Sequence, residues 1–229
     1  MLQSIDKKKK LFIYLFLLVF LTTTNNLSLN NSEYLKLKIN QIKVYGLNDK
    51  SNFNISKKFN RLISEKNLFF INKDYFVNVL EKNNLVHSFK VKKIYPNTIE
   101  VQIQKTKFLA VTNYNKKKFF IGSNGKLINF QSYDKNLPYV FGKVKIEEFI
   151  KFTKIIFNSK FNFEEISELY FFPSGRWDIK TKKGILIKLP QENLLKVLNL
   201  SHHLTANENF KNSKIIDLRI YKNVILTNE

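Results

Sequence analysis

Residues 91–104 read Val91-Lys92-Lys93-Ile94-Tyr95-Pro96-Asn97-Thr98-Ile99-Glu100-Val101-Gln102-Ile103-Gln104. From Thr98 onward the side chains alternate. Ile99, Val101 and Ile103 share one face, and Glu100, Gln102 and Gln104 share the other. A period of two is that of a strand with one buried and one wet side. Tyr95-Pro96-Asn97 ends a preceding strand over 86–94, because proline presets a turn backbone and asparagine tolerates one. The two strands form a hairpin.

Working upstream, Asn72 caps a short helix with Phe76, Val79 and Leu80 inward. Residues 67–71, Asn-Leu-Phe-Phe-Ile, form an apolar connector. Before them Ser51 caps a helix whose face carries Ile55, Phe59, Leu62 and Ile63, at i, i+4, i+7 and i+8. Gly46-Leu47-Asn48-Asp49 is a turn. Leu37 and Ile39 alternate, then Ile42 and Val44 alternate one residue out of phase, which predicts a bulged strand. Residues 37–105 therefore run strand, helix, helix, strand, strand.

Downstream, strands dominate. Residues 108–114 and 118–121 pair across Asn115-Lys116-Lys117, and 126–130 follow the turn Ser123-Asn124-Gly125. Ile146, Phe149, Ile150, Ile156 and Phe157 mark an amphipathic helix. Residues 166–172, 176–182 and 185–189 form a meander. Leu194, Val197, Leu198 and Leu204 mark a last helix, and 215–220 and 224–227 finish as strand. Runs of strands with interspersed helices imply an α+β fold.

At the amino end, Lys7 to Lys10 precede an apolar run over 11–21, extended by threonines and by residues 25–29 to the roughly 20 residues that cross a bilayer. A cleavable signal peptide has a similar apolar core, but no Ala-x-Ala-like site follows; the first alanine is Ala110. The lysines belong in the cytoplasm by the positive-inside rule, so the remainder is exported. The expected organisation is a cytoplasmic tail (1–10), a transmembrane helix (11–29), a linker (30–36), an α+β domain (37–107) and a β-rich domain (108–229).

The chain has no Cys, which excludes disulfides and thiol chemistry, and 22 Phe, ample for a core. The formal charge of +21 invites a nucleic-acid reading. Against it, the lysines are spread along the whole length, and arginine, the better base reader, occurs only at Arg61, Arg176 and Arg219. Export of the basic part argues the same way. His87, His202 and His203 show no metal-binding spacing, and no cofactor or metal is expected. A hydrolase needs a nucleophile with a base, or paired carboxylates. Glu147, Glu148, Glu164, Glu165 and Glu168 have no partner His in the pattern, so no small-molecule substrate is expected.

The β-α-α-β-β order behind an anchor resembles a POTRA (polypeptide-transport-associated) domain. Ile42-Lys43-Val44-Tyr45-Gly46 resembles its opening strand and glycine turn, 67–72 its helix-to-helix step, and 91–101 its proline hairpin. Anchor, POTRA and β-domain together resemble the FtsQ/DivIB cell-division family. Phe120-Ile121-Gly122-Ser123-Asn124-Gly125, Leu137-Pro138-Tyr139-Val140-Phe141-Gly142, Arg176-Trp177-Asp178-Ile179, the Gly-led strand 184–190 and Ile216-Asp217-Leu218-Arg219 follow that family's motifs in order. Two departures stand out. Gln104-Lys105-Thr106-Lys107 lacks the usual Glu and Pro, and Ser123 stands where an acid is usual.

The resemblance implies a non-catalytic divisome scaffold in the inner membrane, single-pass, with its bulk periplasmic, concentrated at the septum. Its partners would be the bitopic proteins FtsL and FtsB and, through them, the septal peptidoglycan synthase. It also implies that FtsB adds a strand to the C-terminal edge, expected here over 218–226: Leu218, Arg219, Ile220, Tyr221, Lys222, Asn223, Val224, Ile225 and Leu226. Arg219 would supply a charge-assisted contact, or be a solvated strand charge. Tyr221 and Val224 would be apolar anchors. Arg176 and Trp177 lie on a strand that could neighbour this surface, though a strand tryptophan is more often core. The alternative is a POTRA protein of outer-membrane assembly or secretion. About 120 residues follow residue 107, too few for the barrel such proteins carry.

Overall fold

The computed structural model describes residues 7–24, 37–129, 136–207, 213–220 and 223–227. The first element is the helix α1 (Lys7–Thr24). Its first turn is four lysines, leaving residues 11–24, roughly 21 Å at 1.5 Å per residue, against ~30 Å of hydrocarbon. Among the described residues no helix is long and apolar enough to cross a membrane. Residues 25–29, which the expected span of 11–29 needs, lie outside them.

The first folded unit consists of β1 (Gln41–Tyr45), α2 (Asp49–Ile63), α3 (Asp74–Leu80), β2 (Val86–Ile94) and β3 (Thr98–Lys105). The sheet order is β1-β3-β2, with β1 parallel and β2 antiparallel to β3. Ile99, Val101 and Ile103 are buried against Ile55, Phe59, Ile63, Phe76 and Leu80. The Phe59 and Phe76 rings lie 5.1 Å apart. The cap of α2 is Asn48, whose side chain accepts from the Ser51 backbone N–H. Ser51 sits inside the helix instead of capping it. Leu62 is exposed. Residues 37–39 do not continue β1 through a bulge: Lys38 bridges to Asn67, and Leu68 N–H donates to Leu37 O. The entering chain is thereby stitched to the turn after α2. At the other end Gly46 has φ +111°, and a Cβ there would fall 1.7 Å from Ile103 O. Only glycine permits that approach.

The second unit is one nine-stranded sheet, ordered β12-β11-β10-β9-β8-β7-β4-β5-β6. Its strands are β4 (Phe108–Tyr114), β5 (Lys117–Gly122), β6 (Leu127–Asn129), β7 (Tyr139–Phe141), β8 (Ile166–Phe171), β9 (Trp177–Thr181), β10 (Leu186–Lys188), β11 (Ile215–Asp217) and β12 (Ile225–Thr227). Helix α4 (Ile146–Asn158) links β7 to β8, and α5 (Leu194–Ala206) links β10 to β11. Both linked pairs are parallel, as a helical crossover requires. The third parallel pair is β4 with β7; the other pairings are antiparallel. Strand β7 is a three-residue seam absent from the sequence pattern, where 137–142 reads only as a motif.

One buried row crosses the sheet under the helices: Val140, Leu169, Ile179, Ile187 and Ile216, each opposite the next. Trp177 lies above it, stacked 4.5 Å from Phe152 of α4.

The units meet through a polar clamp. Asn124 Nδ2 donates to Asn84 O and Val86 O, each at 2.9 Å, and Asn124 N–H donates to Thr106 Oγ1. Asn84 Nδ2 donates to Leu127 O. Ser123 Oγ lies 3.1 Å from Thr106 Oγ1 and accepts from Lys107 N–H. Beside them Leu85 packs against a small cluster of Val111, Phe120 and Ile128.

Candidate functional site

The row Val140 to Ile216 ends on β12 at Leu226, opposite Ile216. Strand β12 is outermost in the sheet, and no described strand pairs with its outer side. A sheet edge of this kind carries unmatched backbone donors and acceptors. The expected edge over 218–226 is shorter in the structure. Residues 218–220 and 223–224 belong to the connection between β11 and β12, and Ile225–Thr227 alone is strand. Tyr221 and Lys222 lie outside the described residues.

The opposite face of the sheet bears a second row: Phe141, Tyr170, Asp178, Lys188, Asp217 and Ile225. Its aromatic end is stacked, with Phe141 and Tyr170 5.1 Å apart. Burial and a hydrogen bond to Glu168 push the Tyr170 phenol up to about 12. The charged end is an ion ladder built from residues two apart. Arg176 Nε donates to Asp178 Oδ1 at 3.1 Å, with the guanidinium 4.1 Å over the Phe172 ring. Arg219 Nε donates to both Asp217 oxygens, at 2.9 and 3.0 Å, and its backbone N–H donates to Oδ1 as well. Arg219 holds the Asp217 carboxyl below its ordinary value. Burial holds Asp178 above it, against the pull of Arg176.

Most of the described candidate residues now have a place. Val224, Ile225, Leu226 and Ile220 are exposed. Arg219 is half-exposed and bound to its own Asp217, so an acidic partner residue would meet a guanidinium already paired within the chain. Leu218 and Trp177 are each 4% exposed; their side chains support the margin from the core and offer no surface to a partner. Arg176 sits two strands in from β11, locked to Asp178.

Beside the margin lies a groove of about 620 Å³, lined by Gln191, Val197, Leu200, Arg219, Ile220 and Val224 among others. The wall contributed by α5 is not evident from the sequence reading. The signal for it is Leu200, an apolar residue off the buried stripe of Leu198 and Ser201. The arrangement supplies backbone hydrogen-bonding capacity beside an apolar slot. Among the described residues no group of three or more His, Cys, Asp or Glu is placed to hold a metal ion.

Comparison with known proteins decides the family. Residues 37–105 match the model of the FtsQ-type POTRA domain, and residues 110–219 that of the FtsQ/DivIB cell-division protein C-terminal region. The chain belongs to the FtsQ/DivIB family. Among similar FtsQ/DivIB proteins, Rickettsia bellii FtsQ is 27% identical over 162 residues, 66% of this chain and 58% of that one. Clostridium botulinum DivIB is 25% identical over 137 residues, 58% of this chain and 49% of the relative. Staphylococcus aureus DivIB is 31% identical over 94 residues, 40% of this chain and 20% of the relative. The alignments thus span from a fifth to under three-fifths of these relatives. The solved extracytoplasmic domain of Geobacillus stearothermophilus DivIB gives a TM-score of 0.36 at 13% identity, over 46% of this chain and 96% of that one. FtsQ/DivIB membership makes this a cell-division protein.

Proposed function

We propose that this protein is a non-catalytic divisome scaffold that captures the FtsL/FtsB pair by strand addition along β12, and so helps recruit or control the septal peptidoglycan synthase. The observation that carries this reading is the open outer side of β12, flanked by exposed Val224 and Ile225. An added strand gains affinity from main-chain hydrogen bonds and specificity from alternate side chains. The groove against α5 supplies a slot for one such side chain. The protein acts from the extracytoplasmic face of the inner membrane at the septum, held there by α1 with its lysines in the cytoplasm. Support for the anchor is the unbroken apolar run over 11–21, whose large side chains are all exposed. Embedding them removes that surface from water.

Val224→Asp tests the reading. It places a charge at the margin without touching a buried residue, and loses roughly 2 kcal/mol of binding, about thirtyfold, if Val224 is a central contact. Capture of purified FtsL/FtsB at unchanged strength by the folded variant overturns the assignment. Arg219→Glu is a poor substitute, because it sets a second carboxylate against Asp217 and disturbs the β11–β12 connection itself.

A further inference from the structure

The POTRA unit has two ends. Strands β1 and β3 run in the same direction, from Gln41 and Thr98 at one end to Tyr45 and Gln102 at the other. The far end, with Leu85 and Thr106, carries the clamp to the β-domain. The near end is where the chain enters, at Leu37, held by its hydrogen bond with Leu68.

At that near end two rings stand outward side by side. Leu68 and Ile71 are buried, while Phe69 and Phe70 are 63% and 78% exposed, their centroids 5.3 Å apart. The turn is fixed: Phe69 N–H donates to Asn67 Oδ1 and Phe70 N–H to Asn67 O. The rings are therefore presented, not loosely exposed. Three lysines share this end of the unit. Lys93 Nζ donates to Phe69 O, Lys66 lies against Tyr75, and Lys38 pairs loosely with Glu65 at 3.8 Å. Tyr95, exposed at the tip of the β2–β3 turn, belongs to the same end. Glu65 and Asp74 are the acids nearby, and Asp74 accepts from Asn72.

We infer that this end of the POTRA unit docks on an anionic bilayer surface, with Phe69 and Phe70 entering the headgroup boundary and Lys38, Lys66 and Lys93 meeting the phosphates. Two observations choose lipid over a protein partner. Exposed aromatics beside cations are the chemistry of an interfacial lipid contact. And only residues 25–36 separate this end from the apolar helix α1, a reach of at most ~43 Å. The tether argument, though not the headgroup chemistry, rests on the proposed anchoring of α1 in the membrane.

The test uses the full chain with Phe70→Trp, reconstituted in vesicles of brominated phosphatidylcholine with or without about one-third phosphatidylglycerol. The lone native tryptophan, Trp177, is buried in the other unit and serves as the blank. Bromine quenching of the introduced indole at least about twofold stronger in the anionic vesicles, abolished by Lys38→Glu with Lys93→Glu, supports docking. Flotation of the same vesicles in high salt, with Phe69→Ser and Phe70→Ser, reports the anchor separately. A chain that floats but whose introduced indole is unquenched overturns docking, leaves the anchor standing and assigns the rings to a protein. A chain that is quenched but does not float keeps docking and removes the anchor.

Discussion

Asp217 and Arg219 have opposite charges two residues apart, which puts both side chains on one side of an extended backbone. Arg176 and Asp178 repeat the arrangement two strands away. The Asp217 carboxyl is held below 3.8 by Arg219. The contact therefore contributes in full at neutral pH and is lost only as acid protonates the folded carboxyl. The urea midpoint of Asp217→Asn should lie below wild type by a constant amount from about pH 7 to 5, the gap closing below about pH 4. Asp178 runs the other way, since burial raises it. Gly142, with φ +100°, lies where a Cβ would sit 2.2 Å from Phe171 O. Gly142→Ala should lower stability by more than about 1 kcal/mol in chemical denaturation.

At the scale of elements, every described strand but β7 was legible in the sequence pattern, its bounds less so. Thr98 to Gln104 alternates cleanly and is β3 in the structure. Strand β7 has three residues, too few to express a period, yet it joins the two halves of the sheet through its pairs with β4 and β8. The chain over 218–224 is apolar enough to read as strand. The described residues 218–220 are instead outside the strand, with Leu218 buried and Arg219 paired to Asp217. Pairing of that sort is a matter of side-chain geometry that periodicity does not encode. Of the two readings of Trp177, contact or core, the structure has the core one, with Phe152 stacked on the indole and Phe171 tilted against it. Trp177→Ala should cost about 3–5 kcal/mol of stability. Trp177→Phe, which keeps most of the packing, should leave capture of FtsL/FtsB unchanged in a pull-down; weaker capture by this variant when folded would mean that the indole reaches the partner.

For the whole molecule the decisive residue is Asn124. It sits in the β5–β6 turn and spends its side chain on the backbone of another unit, at Asn84 and Val86. Asn124→Ala leaves two carbonyls without those donors and should lower the coupling of the units by about 2 kcal/mol. The expected readout is a pair of separated unfolding transitions where wild type shows one, together with a broader distance distribution between spin labels placed one on each unit. A single unshifted transition would count against the clamp.

A hinge between the units would let β12 swing through a range of heights. The amide clamp instead turns the two units into a ruler. Whatever grips the turn holding Phe69 and Phe70 then sets, through the contacts of Asn124 and Asn84, how far away β12 waits. Under the proposed strand addition an incoming strand has to arrive at that altitude, and inserting or deleting a helical turn in the stalk of either protein alone should break the encounter while leaving both surfaces chemically intact.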